Sequence, residues 1–306
     1  MLILSIICVF ILLVLGGSYY AYRIAFYAPR KGRDKMPSTS APQYDPYRAE
    51  MKRIFHQLND RPCEYVTIYS HDGLKLSGRY YHIQDGAPLD IGFHGYRSSP
   101  LTDFSGGSEL SFNLGHNVLL VDQRAHGKSE GRTISFGIQE RQDLVQWVNY
   151  AIDRFGQDVK ILLYGISMGG ATVLMASELD LPSNVKGIIA DCPYSSPIDI
   201  ILHVGNSIPI PNWLIKPFVI VGAKIFGGFD VCETTAASAV QNTHIPVLII
   251  HGESDHFVPC EMSDIVDQNS EMVTRLTIPS ADHGISYLVD PTTYRHTVTE
   301  FIQKVM

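Results

Sequence analysis

From Leu89 onward the chain repeats one pattern: a short apolar run, a turn bearing glycine or polar residues, then a stretch with helical spacing. The runs are "LDIGFHG", the strand Asn117 to Val121, "KILLYG", "VKGIIADCPYSS", "IPVLIIHGESD" and "VTRLTIPSADHG". Apolar runs this short read as strands buried on both faces, and the helices between them supply the cover. In "IQERQDLVQWVNYAIDRFG" the apolar residues Leu144, Trp147, Val148, Ala151, Ile152 and Phe155 recur at helical spacing, and Gly156 stands where a helix should end. "GGATVLMASEL" and Pro291 to Val305 read as further helices. The fold class is therefore α/β, with a mostly parallel central sheet and helices on both faces. Ahead of this repeat, Tyr47 to Leu58 reads as a short amphipathic helix. "CEYVTIYSHDGLKLSGRYYHI" reads as a hairpin turning at His71-Asp72-Gly73.

One region breaks the rhythm. Between Pro193 and Ile245 no strand recurs, and prolines 209, 211 and 217 lie close to Trp213 and Phe218. Short helices broken by turns are expected there. An insertion of this kind in an α/β frame, residues 193–245, reads as a small helical cap over the carboxyl ends of the strands, where ligands bind in open α/β sheets.

The N-terminus obeys a different rule. "MLILSIICVFILLVLGGSYYAY" carries no charged side chain from Leu2 to Tyr22, enough helix to cross a hydrocarbon core. Tyr19, Tyr20, Tyr22 and Tyr27 fit an interfacial aromatic belt, and Arg23, Arg30, Lys31, Arg33 and Lys35 follow. Residues 2–22 are thus expected to be an uncleaved single-pass transmembrane anchor, with the bulk of the chain on the cytoplasmic side. A secretory signal would want a basic leader and a small-residue cleavage site, which "GGSYYAY" serves poorly. Residues 23–60, containing "APRKGRDKMPSTSAPQYDP", read as a juxtamembrane linker and short helix, and residues 61–306 as the globular domain.

Composition removes several function classes. A formal net charge of −7 argues against a nucleic-acid partner. The five cysteines, Cys8, Cys63, Cys192, Cys232 and Cys260, are scattered without a CxxC pair, so neither a disulfide scaffold nor a structural metal site is expected. They read as mostly buried free thiols.

The stretch that carries chemistry is "GISMGG", Gly165 to Gly170, between the strand "KILLY" and the helix "ATVLMAS". It matches G-x-S-x-G, a pattern that chance supplies on the order of 0.1 times in a chain this size. The preceding strand and following helix are the context that makes it a nucleophile elbow. A Walker loop would need Lys and then Ser or Thr after its last glycine, whereas Ala171 and Thr172 follow. A phosphate-cradling loop is therefore rejected.

A serine hydroxyl needs a base, and the base needs an orienting carboxylate. In the order Ser, acid, His, Asp255 lies just past the strand "VLIIHG" and His283 just past "LTIP". All three thus occupy strand carboxyl ends on one rim. Asp191, which also ends a strand, is the alternative acid; Glu253 and Asp282 are expected to solvate their loops, and His256 and His296 lack the placement of a base. For the oxyanion, Met168 N–H and Tyr96 N–H, in "IGFHGYRSSP", are the expected donors. His94 is expected to hold loop backbone, and Arg124 and His126 to brace the rim.

On "FHGYRSS", "VDQRAHGKSEG", "LLYGISMGGAT", "VLIIHGESDHFVP" and "SADHG" the chain resembles the α/β-hydrolase superfamily, from Cys63 to Met306. Within it, the chain is similar to the serine-esterase and serine-aminopeptidase-like branch, in its membrane-anchored bacterial type. Ala125 departs from this pattern, since relatives commonly have glycine there. The resemblance implies an α/β-hydrolase fold, Ser167, Asp255 and His283 as a triad, and Tyr96 and Met168 as donors. It implies cleavage of a carboxylic ester of a small acyl substrate through an acyl-enzyme, without cofactor or metal. A serine peptidase or amidase of aminopeptidase-like type, and a non-catalytic membrane-bound binding module, are the alternatives.

Overall fold

A computed structural model describes residues 1–29, 42–206, 209–267 and 271–306. Its strands are β1 Glu64–Tyr69, β2 Lys75–Tyr81, β3 Leu89–Phe93, β4 Asn117–Asp122, β5 Ile161–Ile166, β6 Val185–Asp191, β7 Val247–Gly252 and β8 Val273–Ile278. They form one sheet in the order β1-β2-β4-β3-β5-β6-β7-β8. β2 runs antiparallel to both its neighbours, and the pairings from β4 to β8 are parallel. β3, β4 and β7 are buried along their whole length, whereas the edge strand β1 alternates. The continuous apolar runs and the alternating hairpin differ for this reason: only the interior strands are covered on both faces.

The helices are α1 Leu2–Ala25, α2 Arg48–Asn59, α3 Pro100–Asp103, α4 Gly107–Asn113, α5 Glu140–Phe155, α6 Met168–Ala176, α7 Pro197–Gly205, α8 Asn212–Gly222, α9 Ala236–Val240, α10 Cys260–Asp267, α11 Ser286–Val289 and α12 Pro291–Val305. α5 ends on Gly156 at φ +95°, a conformation that favours glycine. α7, α8 and α9 form a helical insertion between β6 and β7, with a short π-helical turn, Ala223–Gly227, continuing α8. Ala125 sits at φ +63°. That is the left-handed region, which accounts for the glycine that the resemblance led one to expect there.

All five cysteines are free, but only Cys192 is buried. Cys8 and Cys232 are exposed and Cys63 and Cys260 half-buried, so the expectation of mostly buried thiols is corrected.

The apolar N-terminal segment is one helix, long and apolar enough to cross a membrane. It runs past Tyr22, and its last turns join the globular core. Tyr22, Phe26 and Ala28 are buried there, with Phe26 edge-on to Phe136 and Phe229 at ring centroid distances of 5.8 and 5.2 Å. Tyr22 Oη bonds Thr133 Oγ1 at 3.0 Å, so this tyrosine is a core residue and not part of an interfacial belt. Tyr19 and Tyr20 are exposed. Beyond the helix, Ala28 N–H donates to Arg132 carbonyl and Ile134 N–H to Phe26 carbonyl. The segment 23–29, read from sequence as the start of a linker, is therefore bound to the domain. Of the basic residues that set the expected orientation, Arg30, Lys31, Arg33 and Lys35 lie outside the described residues.

Phe26→Ala should leave a cavity between Phe136 and Phe229, and large-to-small changes of this kind cost about 3–5 kcal/mol. Urea denaturation of the full chain in detergent measures it; a cost below about 1 kcal/mol would mean that the helix end is not core.

Candidate active site

The elbow between β5 and α6 is a steric construction. A Cβ on Gly165 would collide with the Gly169 backbone, and one on Gly169 with the Phe93 carbonyl. Both glycines are thus needed for the turn to sit flat against β3. Ser167, between them, is held at φ +56°, ψ −114°, a strained conformation for a residue with a side chain. Its N–H donates to the Asp191 carbonyl at 2.8 Å, which pins the turn to the end of β6.

Ser167 Oγ lies 3.0 Å from His283 Nε2. On the other side of the ring, His283 Nδ1 lies 2.7 Å from Asp255 Oδ2. Ser167 and Asp255 are buried, and the imidazole is half-buried beneath the exposed Phe257 ring, 5.0 Å away. A carboxylate only accepts, so the proton sits on Nδ1 and leaves Nε2 as the acceptor facing the serine hydroxyl.

Asp255 is built to stay ionised. Its burial works against the charge, yet hydrogen bonds from His251 and His283, and from Val258 N–H, hold the carboxyl well below its ordinary range. Phe257 and Val258 N–H donate to Oδ1 at 2.9 and 2.7 Å, closing the loop around it. His251 Nε2, fully buried on β7, lies 3.3 Å from Oδ2 and 2.9 Å from the Val258 carbonyl.

The other sequence candidates lie elsewhere. Asp191 Oδ2 accepts from Tyr294 Oη at 2.8 Å, and its Oδ1 has no partner. Burial pushes this carboxyl up to about 6, against the Tyr294 hydrogen bond. Asp282 accepts from the N–H groups of His256 and His283, and pairs with the His256 ring at 3.2 Å. Glu253 is exposed, and His296 pairs with Glu300 at 3.4 Å. Arg124 is clamped by Asp143 and Asp72, and His126 Nε2 accepts from Arg97 N–H at 3.0 Å.

Met168 opens α6, where a helix leaves its N–H groups without intrahelical acceptors. Gly95 abuts the serine: a Cβ there would stand 3.3 Å from Ser167 Cβ. Tyr96 follows Gly95 in this loop, and three contacts fix the loop. His94 Nδ1 bonds the Gly95 carbonyl at 2.8 Å, and Gly95 N–H donates to half-buried Asp103 Oδ2 at 2.6 Å. The third set reaches α1. Tyr96 Oη donates to the Ala25 carbonyl at 2.7 Å, and Arg97 Nη2 to the carbonyls of Ile24 and Tyr27 at 2.7 and 3.3 Å. A helix leaves its last carbonyls unsatisfied, and here the loop beside the serine satisfies them.

Sequence reasoning missed Asp103, His251 and Tyr44. Tyr44, on the turn Pro42–Tyr47, donates weakly to the His283 carbonyl at 3.5 Å. Its hydroxyl is pushed up to about 12, by burial first and then by the charges of Cys192, Asp103, Asp282 and Asp255. Tyr44 and Asp103 fall in no motif, and His251, inside "VLIIHGESDHFVP", acts on the Asp255 carboxylate and the Val258 carbonyl in a way that the letters alone do not mark. The adjacency of Asp103 to the S-S-P-L-T-D helix start was the sole local signal.

Comparison with known proteins agrees with this architecture. Residues 92–240 match the family model described as the alpha/beta hydrolase fold. The chain is 25% identical over 291 residues to the uncharacterized protein YqkD of Bacillus subtilis, covering 94% of this chain and 92% of that one. The solved esterase Pf2001 of Pyrococcus furiosus superposes with a TM-score of 0.64 at 25% identity, over 82% of this chain and 95% of that one. Est1E of Butyrivibrio proteoclasticus, solved with ferulic acid bound, shares the fold at TM-score 0.61 and 22% identity, over 78% and 98% of the two chains.

Proposed function

We propose that this chain, an α/β hydrolase by its fold, is a serine hydrolase that cleaves carboxylic esters through an acyl-enzyme. The observation that carries the reading is the hydrogen-bonded line Ser167–His283–Asp255 at 3.0 and 2.7 Å. Ser167 Oγ attacks the ester carbonyl while its proton passes to His283 Nε2. Asp255 holds the ring tautomer and stabilises the imidazolium. The developing oxyanion is received by the N–H groups of Met168 and Tyr96, and His283 then returns the proton to the leaving alkoxide. Water repeats the sequence on the acyl-enzyme and frees Ser167. The named esterase Pf2001 among the structural neighbours supports an ester as the substrate.

The helical insertion serves in this reading as a cap that shapes acyl-chain preference. α1 serves as an uncleaved membrane anchor, with the catalytic domain on the cytoplasmic side in keeping with the basic residues that follow. The packing of Tyr22 and Phe26 in the core supports retention of the helix, since cleavage behind it would strip both from the domain.

The full chain in detergent should hydrolyse p-nitrophenyl esters and leave aminoacyl p-nitroanilides intact. The reverse preference would turn the reading to a peptidase or amidase, and turnover of neither would favour a binding module. Tyr96 tests the loop. Tyr96→Phe keeps the backbone N–H but removes the bond to Ala25, worth about 1 kcal/mol, so kcat should fall about fivefold. KM should hold, and an unchanged kcat would show that the contact with α1 does not position the donor.

A further inference from the structure

α8 lies along the C-terminal half of α1, and the two run in the same direction. A Cβ on Gly222 would collide with the Ser18 carbonyl, the Phe218 ring covers Gly17, and Phe226 meets Tyr19 and Tyr22 at 5.2 and 6.1 Å. Moving back from Phe218 to Trp213 therefore moves about 7.5 Å toward the N-terminal end of α1, at 1.5 Å per residue. That brings the start of α8 level with Ile11 to Leu13. Trp213 and Leu214 there, and Ile210 just before the helix, are exposed at 72%, 41% and 48%, and Leu12 and Leu13 of α1 at 68% each.

The length of α1 makes this overhang matter. Every residue from Leu2 to Leu13 is exposed, whereas from Val14 one face of the helix is covered by the domain and Tyr19 and Tyr20 stay exposed on the other. Those 12 residues extend about 18 Å, well short of a hydrocarbon core of about 30 Å. A helix that spans with so short a free portion must draw the adjoining part of the domain into the apolar layer. The part so drawn is the start of α8, where the exposed side chains Trp213 and Leu214, with Ile210 just before the helix, are apolar and the one polar side chain, Asn212, is tied to Asn206 at 2.8 Å. Its first charge, Lys216, follows one turn nearer the domain, where a lysine reaches the headgroups.

We propose that the start of α8 and the residue leading into it, Ile210, Trp213 and Leu214, are immersed in the same lipid bilayer that holds α1. The inference rests on the reading of α1 as a membrane helix. It makes the insertion a second lipid contact, and it seats the catalytic domain against the membrane instead of letting it hang on a flexible tether.

The two tryptophans provide the test, since Trp147 is buried at 1% exposure and Trp213 is not. The full chain is reconstituted in phosphatidylcholine vesicles with brominated acyl chains. Trp213 emission should be quenched by the bromolipid and shielded from aqueous iodide. In Trp213→Phe the remaining Trp147 emission should be insensitive to both. Flotation of the vesicles after carbonate extraction reports on α1 separately. Protein that floats while Trp213 stays open to iodide and unaffected by bromolipid overturns the proposal and leaves the anchor standing. Protein that fails to float overturns both.

Discussion

Ser167→Ala is expected to remove ester turnover by on the order of a millionfold, the scale seen when a triad nucleophile is deleted. The loss should appear in kcat, because the hydroxyl contributes to the transition state and little to substrate binding. Labelling by a fluorophosphonate should vanish with it, and the thermal melt should stay close to that of the parent. The backbone argument sharpens the expectation: at φ +56° alanine is no more strained than the serine it replaces. Labelling that persists in the variant would move the nucleophile to another residue.

Asp255→Asn should cost about 10⁴ in kcat, since an amide at this position favours the wrong imidazole tautomer. Asp191→Asn is the control that separates the two acids. It keeps an acceptor for Tyr294 and should cost less than tenfold, because Asp191 does not touch His283. The pair also differs in sign on the pH axis. The Asp255 value is depressed by folding, so its contribution to stability is complete above the unfolded value of about 3.9 and fades only as pH falls through the depressed folded value. The Asp191 value is raised to about 6, so stability declines as pH climbs from about 4 to 6. Asp191→Asn should flatten that decline in denaturant titrations. Comparable activity losses in both variants would undo the assignment of Asp255.

Much of the sheet was legible because strand burial writes itself as composition. Interior strands such as β4 and β7 are uniformly apolar, and the edge strand β1 alternates. Ser167, Asp255 and His283 could be singled out because each follows a strand, and parallel strands deliver their ends to one rim. α1 was harder to read. From Leu2 to Tyr22 no position is charged, so no polar periodicity separates the outward side from the side that meets α8. Tyr22 looked like a headgroup residue for the same reason. Asp103 and His251 were hidden by a different cause: they act by hydrogen bonds to backbone or to another site residue, and such bonds leave no pattern in the chain.

The bonds from Tyr96 and Arg97 to the closing carbonyls of α1 bear on how freely this enzyme's attachment could be exchanged. If α1 is the proposed anchor, a fatty-acyl group or a foreign membrane span grafted in its place would restore location but not the acceptors that these two side chains require. On the proposed reading of α1 as an anchor and Ser167 as the nucleophile, localisation and catalytic competence are fused in one segment. A descendant lacking α1 would, on that reading, need a replacement for that carbonyl row before it regained full turnover.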